Sequence, residues 1–152
     1  MYFWLDHIIA QSNGGHCAGA LEFLRGLRTL PHPPVFGLIT GNIRLAAEIK
    51  LRRYKLWEIF EIGAFADDSE DRNQIAAVAR ERGNHMLGRN LRDGEILVVG
   101  DTPHDIRCGQ AIGAKVLAVA TGGVPVEELR RHQPDWVVED LTRISVREVC
   151  SR

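Results

Sequence analysis

The 152-residue chain is 45% hydrophobic and 26% charged, the make-up of one ordinary globular domain with a real core. Nineteen Lys and Arg against twenty Asp and Glu give a formal net charge of −1, so no basic surplus points to nucleic acid or an anionic membrane. No apolar run nears the roughly 18 residues of a membrane span. The opening residues lack the positive start of a secretory signal, and three scattered cysteines without a CxxC speak against zinc or a disulfide framework and for a reducing cytoplasm.

Leu5, Ile8 and Ile9 keep helical spacing and predict a short N-terminal helix, ended by the loop Ser12-Asn13-Gly14-Gly15. Leu21, Leu24, Leu27 and Leu30 form one face of a helix over 18–30, which Pro31-His32-Pro33-Pro34 stops. Val35 to Thr40 reads as a strand, 43–54 as a helix, and Ile62 to Phe65 as a short strand. Asp71 to Arg82 reads as a helix with Ile75, Val78 and Ala79 turned inward. Then follow a strand (95–99), a helix (103–112), a strand (115–120), a helix (126–132), a strand (135–138) and a last helix (141–149). Strands alternating with helices from Val35 onward predict an α/β domain with a parallel sheet. No repeat, low-complexity segment or linker divides it.

Three strand ends carry polar chemistry. At Leu38-Ile39-Thr40-Gly41-Asn42, a hydroxyl, a glycine N–H and a helix N-terminus can cradle a phosphate, although Asn42 and Gly41 also suit a plain cap and turn. Asp67-Asp68-Ser69-Glu70-Asp71-Arg72 is an acidic turn before a helix. Its acids suit the helix dipole, Asp71 with Gln74 fits a capping box, and Arg72 is the one cation embedded there. Gly100-Asp101-Thr102-Pro103-His104-Asp105-Ile106 follows the apolar run Ile96 to Val99. Thr102, Pro103 and Asp105 make a good helix start, which accounts for Asp105 without a metal. Asp101 is different: an acid ending an apolar strand is costly to bury unless it is paired or coordinated. Acids at the carboxyl end of a parallel strand suit a ligand site and a hard cation such as Mg²⁺. His104 reads as a surface residue.

Leu38 to Asn42, the acidic turn with Arg72, and Gly100 to Gly123 resemble motifs II, III and IV of the haloacid dehalogenase superfamily. Residues 12–27, 49–60 and 63–73 are similar to its phosphoglycolate-phosphatase-like members. The resemblance implies a Rossmann-like, mostly parallel sheet flanked by helices that hydrolyses phosphate monoesters of small metabolites with Mg²⁺. It implies that Thr40, Gly41 and Asn42 hold the phosphoryl group. Arg72 takes the place usually held by lysine, with Lys50 a weaker candidate, and neutralises charge. Asp101 ligates Mg²⁺, and Asp105 supports it. Thr40, Arg72 and Asp101 are the implied catalytic set. Arginine keeps the lysine's charge but makes it a planar fork.

The motif that supplies the attacking aspartate, Asp-x-Asp-x-Thr or Ser after an apolar strand, is missing: no two aspartates lie two residues apart. Residues 1–15 therefore resemble the end of a helical cap, and 16–152 a core lacking the family's central first strand. Without it, neighbouring strands about 4.8 Å apart would face a gap of roughly 10 Å. Each buried unpaired group there costs about 1–3 kcal/mol. The sheet then closes in a new register, borrows a strand from another chain, or takes Tyr2 to Leu5 into the slot, which brings Asp6 near the attacking position. The expectation is a phosphatase-type chain with little turnover alone. The alternative is a non-catalytic remnant that binds phosphate or metal, or self-associates through open strand edges. No G-x-G-x-x-G follows a strand, which speaks against a nicotinamide cofactor.

Overall fold

The computed structural model describes residues 2–5, 20–31, 34–53, 57–92, 95–120 and 123–150. In chain order these form β1 (Tyr2–Leu5), α1 (Ala20–Arg28), β2 (Val35–Ile39), α2 (Arg44–Arg53), β3 (Ile62–Ala64) and α3 (Arg72–Leu87). There follow β4 (Ile96–Gly100), α4 (Pro103–Ala111), β5 (Lys115–Val119), α5 (Val126–Arg130), β6 (Trp136–Val138) and α6 (Val146–Cys150). The strands make one sheet in the order β3-β2-β1-β4-β5-β6, with every pairing parallel.

The central strand is therefore present, which corrects the expectation of a core without it. Tyr2 aligns with Val35 on one side and Ile96 on the other, and Leu5 with Leu38 and Val99. Four residues suffice because both neighbours are apolar strands of matching length, and every ladder hydrogen bond they regain relieves a buried backbone group. Of the segment read as a cap end, Tyr2 to Leu5 is sheet rather than helix. Ile8, Ile9 and Asp6 lie outside the described residues, as do the predicted loop at 12–15 and Lys55-Leu56.

Apolar residues alternate along the strands and feed two cores. Phe36, Leu38, Leu97, Val99, Leu117 and Val119 face α1, α2 and the C-terminal segment. Ile39, Ile96, Val98, Val116 and Ala118 face α3, α4 and α5. Strands that are apolar on both faces belong to a sheet covered on both sides. Most predicted boundaries agree within two residues. α3 runs on to Leu87 because Gly83 is buried within it, and the chain leaves the helix only at Gly88, which takes φ 69° as a left-handed cap. The last predicted helix is two pieces. A 3₁₀ turn at Leu141–Arg143, capped by the Asp140 carboxylate on the Thr142 N–H, precedes α6.

β3 is an edge strand, and an ion pair closes it. Arg82 donates to the Gly63 carbonyl and grips both oxygens of Asp68, at 2.7 and 3.0 Å. Asp68 in turn accepts the Phe65 N–H at 2.9 Å. The pair thus binds one acceptor and one donor two residues apart, as a further strand would, which blunts edge pairing. The Arg82 guanidinium holds the Asp68 carboxyl below its ordinary value of about 3.8. A depressed carboxylate contributes stability above its unfolded pKa and loses it as pH falls through the folded one. Wild-type protein is therefore expected to lose up to about 1 kcal/mol below pH 3.8 that Asp68→Asn does not lose, read by urea denaturation across pH.

Candidate functional site

The carboxyl ends of β2 and β4 flank that of β1, and the predicted site residues gather there. Gly100 ends β4, and Asp101 follows it, 1% exposed. The next residues start α4 as the sequence predicts. Thr102 is the cap, Pro103 occupies the first turn, and Asp105 completes a capping box. Asp105 is also 1% exposed, and its Oδ2 accepts the Asp101 N–H at 3.0 Å, the Thr102 N–H at 3.1 Å and the Thr102 hydroxyl at 2.9 Å. Its Oδ1 accepts Arg72 Nη2 at 2.6 Å. One charged partner and three further donors compensate a carboxylate that burial alone would disfavour.

Arg72 reaches this point from the other half of the sheet. It opens α3, whose cap Asp71 accepts the Asn73 and Gln74 N–H groups. Its guanidinium lies against Gly41: a methyl group there would sit 2.8 Å from Nη1. One side chain thus bridges the end of β2 and the start of α4. The fork geometry of arginine matters, because one nitrogen anchors on Asp105 while the other faces Gly41. Among the described contacts of Asp105 and Gly41, Lys50, in the last turn of α2, does not occur.

Thr40, 3% exposed, accepts the Asn42 N–H on Oγ1 at 3.1 Å. A hydroxyl that accepts this bond still has its own proton to donate to an anion. Gly41 and Asn42 are exposed at the mouth. Asp67 takes the first N–H of α2, Arg44, at 2.6 Å, so this helix start is already capped. The acidic turn therefore divides its work: Asp67, Asp68 and Asp71 hold the backbone, and Arg72 enters the site. His104 is exposed and lies against Arg107.

For a divalent cation, Asp101 has the right donor and position. The Asp105 oxygens are turned to protein donors, so its part is to hold Arg72 and the Asp101-Thr102 backbone. No group of three or more His, Cys, Asp or Glu within reach of one metal occurs among the described residues. Mg²⁺ needs no such cage, since it takes one or two carboxylates and keeps waters and phosphate oxygens. The residues fit that ion. Sequence reasoning missed Gly100. A methyl group there would lie 2.2 Å from Asp105 Cβ and 2.6 Å from its Oδ2, so only glycine admits the carboxylate. Its signal was the glycine immediately before the strand-end acid.

Residues 73–144 match the HAD-hydrolase-like family. The chain is 36% identical over 107 residues to a protein of Caldanaerobacter subterraneus subsp. tengcongensis named "Putative pyrophosphatase PpaX", covering 70% of this chain and 47% of that one. It is 29% identical over 106 residues to pyrophosphatase PpaX of Bacillus cereus, covering 70% and 48%. The chain spans about half the length of the curated relatives it matches. Among solved structures, a HAD family hydrolase from Deinococcus radiodurans with bound phosphate and sodium superposes with TM-score 0.63 at 23% identity, over 83% of this chain and 56% of that one. A HAD hydrolase of family IA from Entamoeba histolytica reaches TM-score 0.70 at 20% identity, over 89% and 59%. These likenesses show the fold. No described helix is long and apolar enough to cross a membrane.

Proposed function

The chain belongs to the haloacid dehalogenase superfamily, among its phosphatase-like members, and from that premise we propose a Mg²⁺-dependent phosphoryl-hydrolase site acting on small phosphorylated metabolites. The observation that carries this reading is the Arg72 guanidinium lodged between Gly41 and the buried Asp105, whose carboxylate also holds the Asp101 N–H. Phosphoryl transfer asks chiefly for positioning and for neutralising charge on the oxygens. Thr40 donates its hydroxyl to the phosphoryl group. Arg72, aimed by Asp105, brings its guanidinium to the same oxygens. Asp101 holds Mg²⁺, which supplies further positive charge on the phosphate. The thiol of Cys108 is buried and takes no part, which suits a reducing cytoplasm.

The attacking group is the weak point of the chain. Asp6 is the acid that follows β1 in the sequence, but Ile8 stands where the family's second aspartate belongs. Loss of a general acid–base group slows such chemistry by about 10²–10⁴. Release of phosphate from p-nitrophenyl phosphate and from inorganic pyrophosphate is therefore expected to be slow, Mg²⁺-dependent, and abolished by Asp6→Asn and Asp101→Asn. Turnover unchanged by Asp101→Asn contradicts the assignment. The absence of any Asp-x-Asp pair favours one second reading, a site that binds phosphate and Mg²⁺ without hydrolysis. Binding with no turnover, unaffected by Asp6→Asn, selects it.

A further inference from the structure

Two buried acids stand at the end of β4, Asp101 and Asp105, each 1% exposed. Both oxygens of Asp105 are engaged. Oδ2 accepts the Asp101 N–H, the Thr102 N–H and the Thr102 hydroxyl, all donors from the start of α4 itself. The donor on Oδ1 is of another kind. It is a cation, Arg72 at 2.6 Å, and it comes from the start of α3. The same guanidinium lies against Gly41, where a methyl group would sit 2.8 Å from Nη1. Arg72 thus stands between a buried carboxylate and the loop to which the phosphoryl group is assigned.

Arginine keeps its proton at every ordinary pH, so this charge is permanent. It occupies the second carboxylate as a metal ion would. No group of three or more metal-binding side chains forms among the described residues, and Asp101 remains as the carboxylate for the cation at this strand end. One carboxylate beside a fixed positive charge is a poor site for Mg²⁺, which gives up its water reluctantly. A bound phosphate reverses the balance. It sets negative charge on the Gly41 side of Arg72 and offers the metal oxygens of its own.

We propose that Arg72 is a resident counter-cation that keeps the metal site closed until phosphate is bound, so that Mg²⁺ enters with the phosphate or after it and not ahead of it. The proposal rests on the Mg²⁺-dependent phosphate site proposed above and adds an order to it. Coupling between two ligands is reciprocal, so phosphate raises the affinity for Mg²⁺ by the factor by which Mg²⁺ raises that for phosphate. Removing Arg72 separates the two ligands: phosphate loses its cation, while Asp105 Oδ1 becomes available to the metal.

Calorimetric titration of Mg²⁺ into the full chain tests this, with and without saturating inorganic phosphate, the heat of Mg²⁺ mixing with phosphate alone being subtracted. Wild type is expected to bind Mg²⁺ about tenfold or more tightly with phosphate than without. Arg72→Met is expected to lose phosphate binding, yet to bind Mg²⁺ alone about tenfold or more tightly than wild type does. Asp105→Asn added to Arg72→Met takes that gain away. Arg72→Lys keeps the charge, stays closed to Mg²⁺ alone like wild type, and covers the case in which Arg72→Met does not fold. Wild type that binds Mg²⁺ equally well with and without phosphate overturns the order and leaves the Mg²⁺ site standing. So does an Arg72→Met chain that gains no affinity for Mg²⁺, or an Arg72→Lys chain that gains as much as Arg72→Met. Mg²⁺ binding to none of these chains, with phosphate or without, overturns the Mg²⁺ site itself and the order with it.

Discussion

Gly100→Ala is expected to cost the protein about 3–5 kcal/mol and to remove its affinity for phosphate, although no charge changes. The added methyl group lands 2.2 Å from Asp105 Cβ, closer than any real contact, and its neighbours are the carboxyl carbon and Oδ2 at 2.6 Å. Neither the backbone of a central strand nor the first turn of α4 can yield by an ångström without losing the capping box. Asp105 then releases the Asp101 and Thr102 N–H groups and Arg72 together. A buried group stripped of its partners carries the whole desolvation penalty. Gly109→Ala is the comparison. There the methyl group meets a side-chain end, Val116 Cγ2, at 2.7 Å, and β4 at Val98 Cβ at 3.2 Å. Urea denaturation is expected to rank Gly100→Ala well below Gly109→Ala, and only the former loses phosphate binding. Equal midpoints for Gly100→Ala and wild type contradict the close approach of Asp105.

Trp4→Pro is expected to destabilise the domain by about 2–4 kcal/mol, a large part of the roughly 5–15 kcal/mol that holds such a domain together. Trp4 lies in the middle of β1, aligned with Gly37 on one side and Val98 on the other. In a strand paired on both edges every N–H is used, and proline has none to offer. Trp4→Val keeps the N–H and the extended preference and is expected to stay close to wild type in secondary structure by circular dichroism. If proline at position 4 leaves the urea midpoint unchanged, the four N-terminal residues do not occupy the central slot, and β2 and β4 meet in some other way.

What could be read in the sequence was what is local. The Thr102, Pro103, Asp105 helix start is a pattern within four residues, and it forms as written. The same holds for Asp71 as a cap and for the alternation of strand and helix from Val35 onward. Features made by residues far apart were not legible. Tyr2 to Leu5 is too short a run to separate helix from strand by periodicity, and Ile8 and Ile9 tilt the spacing toward helix. Only the empty place between β2 and β4 decides it, and that is a property of the sheet. The Arg82–Asp68 pair closes across 14 residues, and the Arg72–Asp105 pair across 33. Composition shows such charges as a solvated acidic turn. The fold tells which of them hold backbone and which one enters the site.

Division of labour among those charges is what the proposed phosphate site rests on. Asp105 is the residue that holds most of this arrangement together. Its four described donors fix the strand end, the helix start and the direction of Arg72. Asp101, buried one residue beyond Gly100, is the carboxylate to which the proposal gives the cation.

Calorimetric titration of inorganic phosphate into the full chain, with and without Mg²⁺, and into Asp101→Asn, tests that account most directly. Phosphate binding is expected to strengthen with Mg²⁺ in wild type and to lose this dependence in Asp101→Asn. Phosphate binding that is indifferent to both Mg²⁺ and Asp101, or no binding at all, contradicts it.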